Sequence, residues 1–325
     1  MSQNQEIRPI FTKRLLHPRY WLTWFGIGIL YLIVLLPYPV IYQLGKSLGL
    51  LSMKLIGKRK ETARQNLKLC FPEKSQLERD QMLRGNFIST GLAIFETGMA
   101  WFWSDKRLAK HSSIDGDQFI KNVQQSGQGV LLIGIHFLTL ELGARILGMS
   151  HPGVGVYRPN DNLVMDYVQL KGRLKSNKYM LDRYNTKGMI RALKNGELLW
   201  YAPDHDYGPK NSVFAPLFSV EKAATTIGTR ILVKLGQPAI IPFTPKREEN
   251  GHYTVYVTPA LEGYPIDDDV LAATFMNKAI EQEILKAPEQ YMWLHRRFKT
   301  RPKGRLLCIL MMFNLTKSNI FIVPV

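Results

Sequence analysis

The hydropathy pattern divides the chain at once. No charged residue occurs from Tyr20 to Gly45. Its apolar part, to about Tyr42, would span roughly 35 Å as a helix at 1.5 Å per residue, enough to cross a bilayer. Tyr20, Trp21 and Trp24 open the run and Tyr38 and Tyr42 close it, as interfacial aromatics do. The pattern predicts a membrane anchor over residues 20–45, behind a basic N-terminal segment, 1–19. A buried core helix is the competing reading, and Pro37 and Pro39 add a third, a segment turned back within one leaflet. The run is long and bulky with no small-residue cleavage site, which argues against a signal peptide.

Beyond the anchor the period changes. A long amphipathic stretch from about Leu77 to Trp103 is followed by short apolar runs alternating with helical patterns. Val130–Ile135, Val154–Tyr157, Leu198–Ala202, Ala239–Phe243 and Tyr253–Thr258 read as strands. The first and fourth are nearly continuous apolar runs, as expected of strands buried on both faces. Leu138–Leu147, Lys187–Lys194, Lys222–Leu235 and Val270–Leu285 read as helices. This alternation predicts an α/β fold over 46–305, a mainly parallel central sheet flanked by helices, preceded by one N-terminal transmembrane helix. Residues 306–325 begin with another apolar run and carry no assignable pattern.

Composition narrows the function classes. With 325 residues, 46% hydrophobic and 21% charged, the chain has the make-up of a globular core and is too apolar for a disordered protein. Two cysteines, Cys70 and Cys308, cannot form a disulfide framework or a four-cysteine zinc site. The net charge of +17 favours polyanions: nucleic acid, anionic lipid headgroups or phosphorylated substrates. Lys13, Arg14 and Arg19 precede the anchor, whereas Lys46, Lys54, Lys58, Arg59, Lys60, Arg64 and Lys68 follow it. The larger cluster predicts a main domain on the cytoplasmic side. It also sets the basic stretch beside a membrane, which tilts the charge argument from nucleic acid towards lipid.

The candidate chemistry starts after the first buried strand, in Gly134-Ile135-His136-Phe137-Leu138-Thr139-Leu140-Glu141. Ligand sites in open α/β sheets lie outside the carboxyl ends of strands, which is where His136 falls. On one regular helix a separation of five sets side chains about 140° apart, so His136 and Glu141 meet only if the strand ends at His136 and a helix begins within the motif. A carboxylate on one ring nitrogen would fix the tautomer and leave the other to take a proton from a hydroxyl. By itself a His–Glu spacing is more often structural than chemical. No Gly-x-Ser-x-Gly elbow, Walker loop or HExxH is present, so the attacking group is expected to come from a substrate.

Other segments add candidates. Arg158, in Tyr157-Arg158-Pro159-Asn160, and Arg173 suit phosphate or carboxylate binding, against the reading of a solvated basic face. Asp204, His205 and Asp206, after the third strand, suit substrate positioning, a metal site or a structural turn. No further metal ligands are evident, so substrate positioning is carried forward and no metal is expected. Arg296 and Arg297, in Trp293-Leu294-His295-Arg296-Arg297-Phe298, interleave with aromatics, a pattern that fits nucleic acid, an acidic carrier protein, lipid headgroups or a covered domain edge.

H-x-x-x-x-E after a buried strand, YRPN, APDHDYGP and PEQYMWLHRRFKTRP, in this order behind one anchor, resemble the late acyltransferases of lipid A biosynthesis. The wording GIHFLTLELGARI and NSVFAPLF is similar to the lauroyl-transferring members. The resemblance covers about residues 10–304, with Glu141 where many members of the wider glycerolipid acyltransferase superfamily have Asp. It implies transfer of a medium-length acyl chain, lauroyl, from acyl carrier protein to a hydroxyacyl chain of Kdo-lipid IVA, a lipid A precursor. It further implies a single-pass protein of a Gram-negative inner membrane, with the catalytic domain on the cytoplasmic face among anionic lipids. No cofactor, metal or nucleic acid would be needed. His136 would be the base and Glu141 its orienting carboxylate, with Arg158 and Arg173 gripping the acceptor's phosphates or Kdo carboxylates and the Arg296–Arg297 cluster meeting either that headgroup or the carrier. Two rival readings are a glycerophospholipid acyltransferase, against which APDHDYG replaces that family's EGTR-type segment, and a non-enzymatic membrane-tethered polyanion-binding protein.

Overall fold

A computed structural model describes residues 7–302. Residues 1–6 of the basic N-terminal segment and the apolar tail over 306–325, with Cys308, lie outside the described residues. The uncharged run is not one helix. It breaks at Leu36 and Pro37 into α1 (Trp21–Leu35) and α2 (Tyr38–Leu55). The residue before a proline is pushed out of the helical region, and Leu36 is accordingly extended, with ψ of 163°. Pro39 then sits in the first turn of α2, where a missing N–H costs no hydrogen bond. Pro18–Leu35 is the one segment among the described residues long and apolar enough to cross a membrane. Its mean hydropathy is 1.3 and only 11% of it is buried. That exposure overturns the core-helix reading.

The two helices turn apolar stripes outward. Trp21, Leu22, Phe25, Ile29 and Leu32 are exposed along α1, and Val40, Leu44, Leu51 and Leu55 along α2. Both stripes are compatible with membrane association. The inner face of α2 crosses α4 (Gln76–Phe102), whose start is fixed by a capping box between Ser75 and Glu78. Backbones touch at this crossing through Gly45, Gly49 and Gly91. A Cβ on Gly91 would lie 2.2 Å from the Gly45 carbonyl oxygen, and one on Gly49 would lie 2.1 Å from that of Phe87. Gly91→Leu is expected to cost about 3 kcal/mol or more, beyond ordinary overpacking, because backbone and not a side-chain tip must move. Gly28→Leu on α1 meets open space and is the matched control. Equal unfolding midpoints for the two variants in detergent would refute this crossing.

The rest alternates as its pattern predicts. After α3 (Gly57–Cys70), α4 and α5 (Asp105–Ala109) come β1 (Ser112–Asp115), α6 (Asp117–Gln125), β2 (Val130–Gly134), α7 (Leu140–Ser150) and β3 (Gly153–Tyr157). Next are α8 (Leu163–Arg173), β4 (Asn177–Asp182), α9 (Thr186–Lys194), β5 (Leu198–Tyr201), β6 (Ser212–Leu217) and β7 (Val220–Thr226). The chain continues through α10 (Gly228–Gly236), β8 (Ala239–Arg247), β9 (Tyr253–Val257) and α11 (Asp269–Ile284). The seven-stranded sheet has the order β1-β9-β8-β2-β5-β3-β4 and is parallel except where β8 meets β9. Every residue of β2 is buried. Leu131 and Ile133 face a core shared with α9, α10 and α11, while Val130 and Leu132 face one shared with α6, α7 and α8. α4 contributes to both.

The helix expected over Lys222–Leu235 begins only at Gly228. Residues Val220–Thr226 are instead β7, paired antiparallel with β6 as a separate two-stranded sheet. Ala223 and Ala224 are buried in that hairpin, and the β-branched Thr225 and Thr226 favour a strand once a partner is available.

At the far end of α1 the domain holds this exposed apolar helix. Trp103 Nε1 donates to the Val34 carbonyl at 2.6 Å, and Arg107 donates to the carbonyls of Leu35 and Leu36 at 3.3 and 2.7 Å. These are the carbonyls a helix end leaves unpaired. The guanidinium of Arg107 lies over the Trp103 ring, 4.1 Å from its centroid.

Candidate active site

The site forms where parallel strands end side by side. β2 and β5 are hydrogen-bonded neighbours with Ile133 opposite Tyr201. Three residues on from each lie His136 and Asp204, so the register itself brings them together. Asp204 Oδ2 accepts from the His136 backbone N–H at 3.1 Å, and Oδ1 lies 2.6 Å from the ring Nδ1. Burial opposes charge on Asp204, yet its contacts with His136, through the ring and the backbone N–H, hold its carboxyl well below the usual range. An ionised carboxylate only accepts, so Nδ1 carries the hydrogen and Nε2 is left as the proton acceptor. Asp204 has no exposed surface, whereas the His136 ring is 21% exposed.

The Glu141 pairing expected from the sequence is corrected by this geometry. Residues after β2 turn through an unwound segment and α7 starts at Leu140, so Glu141 lies in its first turn facing α4 and α8 rather than His136. Trp101 Nε1 donates to Oε1 at 2.9 Å. Arg173 donates from Nε to both oxygens at 3.0 and 3.1 Å, and from Nη2 to Oε2 at 2.7 Å. Burial opposes the charge on Glu141, but Arg173 and Trp101 outweigh it and keep the carboxyl pKa below its usual value. The Arg173 guanidinium also lies 5.6 Å from the centroid of the Tyr157 ring.

Two further histidines complete the site. The His205 ring stacks on His136 with centroids 3.4 Å apart and planes 12° apart, and His295 stacks on His205 at 3.9 Å and 11°. The Nε2 atoms of His205 and His295 are buried without a partner among the described residues. Burial, then repulsion from His136, pushes the His205 pKa down to about 2 and that of His295 to about 4. Both rings are therefore neutral in the folded protein. An unfolded chain takes up these protons near the ordinary histidine value of about 6.5. Stability is thus fully present above about pH 6.5 and falls as pH drops, by up to about 1.4 kcal/mol per pH unit for each histidine. The fall continues to about pH 4 for His295 and beyond it for His205. Urea midpoints between about pH 7 and about pH 5 measure the slope, and His295→Phe should flatten it. A slope unchanged by that substitution would contradict the neutral stack.

A strap holds the reacting loop. Residues 290–292 run beside it, with the Leu138 N–H donating to the Gln290 carbonyl at 2.7 Å and the Met292 N–H to that of His136 at 3.0 Å. Buried Asn86 donates its amide to the carbonyls of Glu289 and Tyr291 at 3.0 and 2.6 Å. Asn66 does the same for Trp293 and His295, both at 2.7 Å. The PEQYMWLH segment is therefore a fixed wall that delivers His295 to the site. Sequence reasoning missed both asparagines, which lie more than 200 residues from the carbonyls they hold.

The other candidates separate. Asp206 is buried and accepts from the backbone and hydroxyl of Thr300, both at 2.8 Å, and from the Gly208 N–H at 2.9 Å. Both of its oxygens are engaged in tying this turn to the chain at Thr300, which replaces the positioning role expected for it with a structural one. Arg297 is likewise turned inward, donating to the Ala224 carbonyl at 2.7 Å, while its neighbour Arg296 is exposed. Arg158 is exposed too. His136, Asp204 and His205 each offer a ligand atom within 4.8 Å of the others, as a cation site would require. His136 Nδ1 and Asp204 already close on each other at hydrogen-bonding distance, so an ion held by that nitrogen would have to part them.

A polarised histidine at the end of a central strand is equipped to deprotonate a hydroxyl, and the comparisons with known proteins supply the reaction class. Residues 8–300 match the family model described as bacterial lipid A biosynthesis acyltransferase. The chain is 56% identical to the lipid A biosynthesis lauroyltransferase of Escherichia coli over 91% of its length and 97% of that protein. It is 50% identical to the palmitoleoyltransferase of the same organism, over 90% of this chain and 96% of that one. Identity to the myristoyltransferase is 27%, over 94% of this chain and 95% of that one. The chain belongs to the bacterial lipid A biosynthesis acyltransferase family and is an acyltransferase.

Proposed function

We propose that the protein transfers a lauroyl group from acyl carrier protein to the hydroxyl of a hydroxyacyl chain on Kdo-lipid IVA. It would work at the cytoplasmic face of the inner membrane, anchored among anionic lipids by a single pass through α1 and the turn before it. The observation that carries the chemistry is the hydrogen bond between His136 Nδ1 and buried Asp204, which leaves Nε2 as the base. Nε2 takes the acceptor's hydroxyl proton as the oxygen attacks the thioester carbonyl. The tetrahedral adduct expels the carrier's thiolate, and the imidazolium returns the proton to that sulfur. Asp204 stabilises the imidazolium throughout.

Direct transfer suits the site. Burial pushes the Cys70 thiol far up, which keeps it out of nucleophilic chemistry. Arg173 Nη1 takes no part in the pair with Glu141 and is the nitrogen offered to the oxyanion or to an anionic acceptor group. Exposed Arg158 and Arg296 supply charge for the headgroup or the acidic carrier. The reaction as written uses no metal or bound cofactor.

Lauroyl is favoured by the 56% identity, although a palmitoleoyltransferase at 50% shows that chain length is a finer property than family. The deciding experiment incubates membranes containing the protein with Kdo-lipid IVA and a ladder of acyl-carrier-protein thioesters, then reads product masses. One added lauroyl chain is expected. Acylation of glycerol phosphates instead would keep the mechanism and discard this acceptor.

A further inference from the structure

A depression of about 530 Å³ opens beside Trp103, lined by Ser104, Asp105, Lys106, Arg145 and Lys175. Arg145 lies one helical turn beyond Glu141 on α7 and is only 4% exposed. Its Nη2 meets the Asp105 carboxylate, but Nε and Nη1 have no partner among the described residues. Leaving two guanidinium nitrogens dry and unpaired is costly, more so than for neutral groups. Lys175 shares the depression, and its Nζ bonds the Trp101 carbonyl. Burial first, then repulsion from Arg145, lowers the Lys175 pKa, as expected of a cation short of counter-charge.

The geometry points to a second ligand site here: a pocket for a phosphomonoester, held by Arg145, Lys175, Lys106 and the Ser104 hydroxyl, separate from His136. Charge selects the class. Three cations face one carboxylate, leaving an excess of two positive charges. A carboxylate or phosphodiester supplies one negative charge, whereas a phosphomonoester supplies about 1.5–2 at pH 7 and three acceptor oxygens. Position selects the source class. Trp103 forms one wall and bonds the last turn of α1, so the pocket sits beside the end of the membrane-facing helix, where phosphate-bearing headgroups lie. On its inner side Trp101 links the Lys175 ammonium to the Glu141 carboxylate, joining the pocket to the Glu141–Arg173 pair. That siting rests on the membrane anchoring of α1 proposed above.

The test is calorimetric titration of the full chain in detergent with inorganic phosphate and with glucosamine 1-phosphate, alongside binding to vesicles of phosphatidylcholine with and without phosphatidic acid. Saturable phosphate binding is expected, weakened about tenfold by Lys175→Gln, by Lys106→Gln and by Arg145→Gln, and retained in His136→Ala. Since Arg145→Gln disturbs a buried group, the two lysine variants decide. Tighter binding of the sugar phosphate would identify a substrate phosphate as the source. Phosphatidic-acid-dependent vesicle binding, lost in the lysine variants, would identify a bilayer lipid. Undiminished phosphate affinity in both lysine variants, loss of binding in His136→Ala, or no saturable binding of any phosphomonoester overturns the proposal.

Discussion

Asp204→Asn is expected to lower kcat by about 10³–10⁴-fold, close to the loss in His136→Ala and far beyond what its change in size accounts for. The substitution is nearly isosteric. Its carbonyl oxygen can still accept from the His136 backbone N–H, which places the amide NH₂ against Nδ1. An NH₂ donates, so Nδ1 must become the acceptor and the ring hydrogen moves to Nε2. The base then presents a proton where it should take one. Stability should change little, because the loop keeps its backbone hydrogen bond, the stack of His205 and His295, and the strap through Met292.

Glu141→Gln provides the contrast. If Glu141 oriented the base, its removal would distort the pH profile of kcat/KM on the limb set by His136. The structure ties Glu141 to Arg173 and Trp101, so activity should fall through Arg173 while that limb stays in place. A displaced limb in Glu141→Gln, together with near-normal turnover in Asp204→Asn, would restore the pairing that the sequence suggested.

That suggestion shows what a sequence gives away and what it conceals. β2 was legible because a strand buried on both faces must be a continuous apolar run, and VLLIG is one. His136 was legible because the run ends beside it. Its partner was not, because a five-residue spacing is visible in one dimension and strand order is not. Once β2 and β5 are adjacent, equal offsets of three from Ile133 and Tyr201 pick out Asp204, but adjacency is fixed by the whole sheet. The same limit hid β7, whose partner β6 lies just upstream with a proline in it. Asn66 and Asn86 left no local signal at all. A buried asparagine that clamps a distant strap looks, in sequence, like any helix-surface polar residue. The basic cluster failed differently: Arg296 and Arg297 are neighbours, and only the fold sends one outward and the other into the core.

Arg173→Met should destabilise the protein by about 3 kcal/mol at pH 7, the low end for breaking a buried ion pair, since both partners keep some solvent contact. The cost arises from what remains: Glu141 keeps only the Trp101 hydrogen bond for a carboxylate largely withdrawn from water. Two consequences separate this from loss of packing. Adding Glu141→Leu should recover most of the stability, because an apolar pair of similar volume leaves no stranded charge, yet activity should stay lost because the donor proposed at Arg173 is gone. The pH dependence should also change. In the parent, Arg173 holds the Glu141 pKa low, so the pair's contribution is present above the unfolded carboxyl value of about 4.3 and is lost as pH falls through the folded value. In Arg173→Met, burial acts without that opposition and raises the Glu141 pKa, so the folded state takes up a proton earlier and the deficit against the parent narrows on acidification. Denaturant midpoints for parent, single and double variants across that range measure both effects. A single variant as stable as the parent at pH 7 would mean that water, and not Arg173, keeps Glu141 ionised.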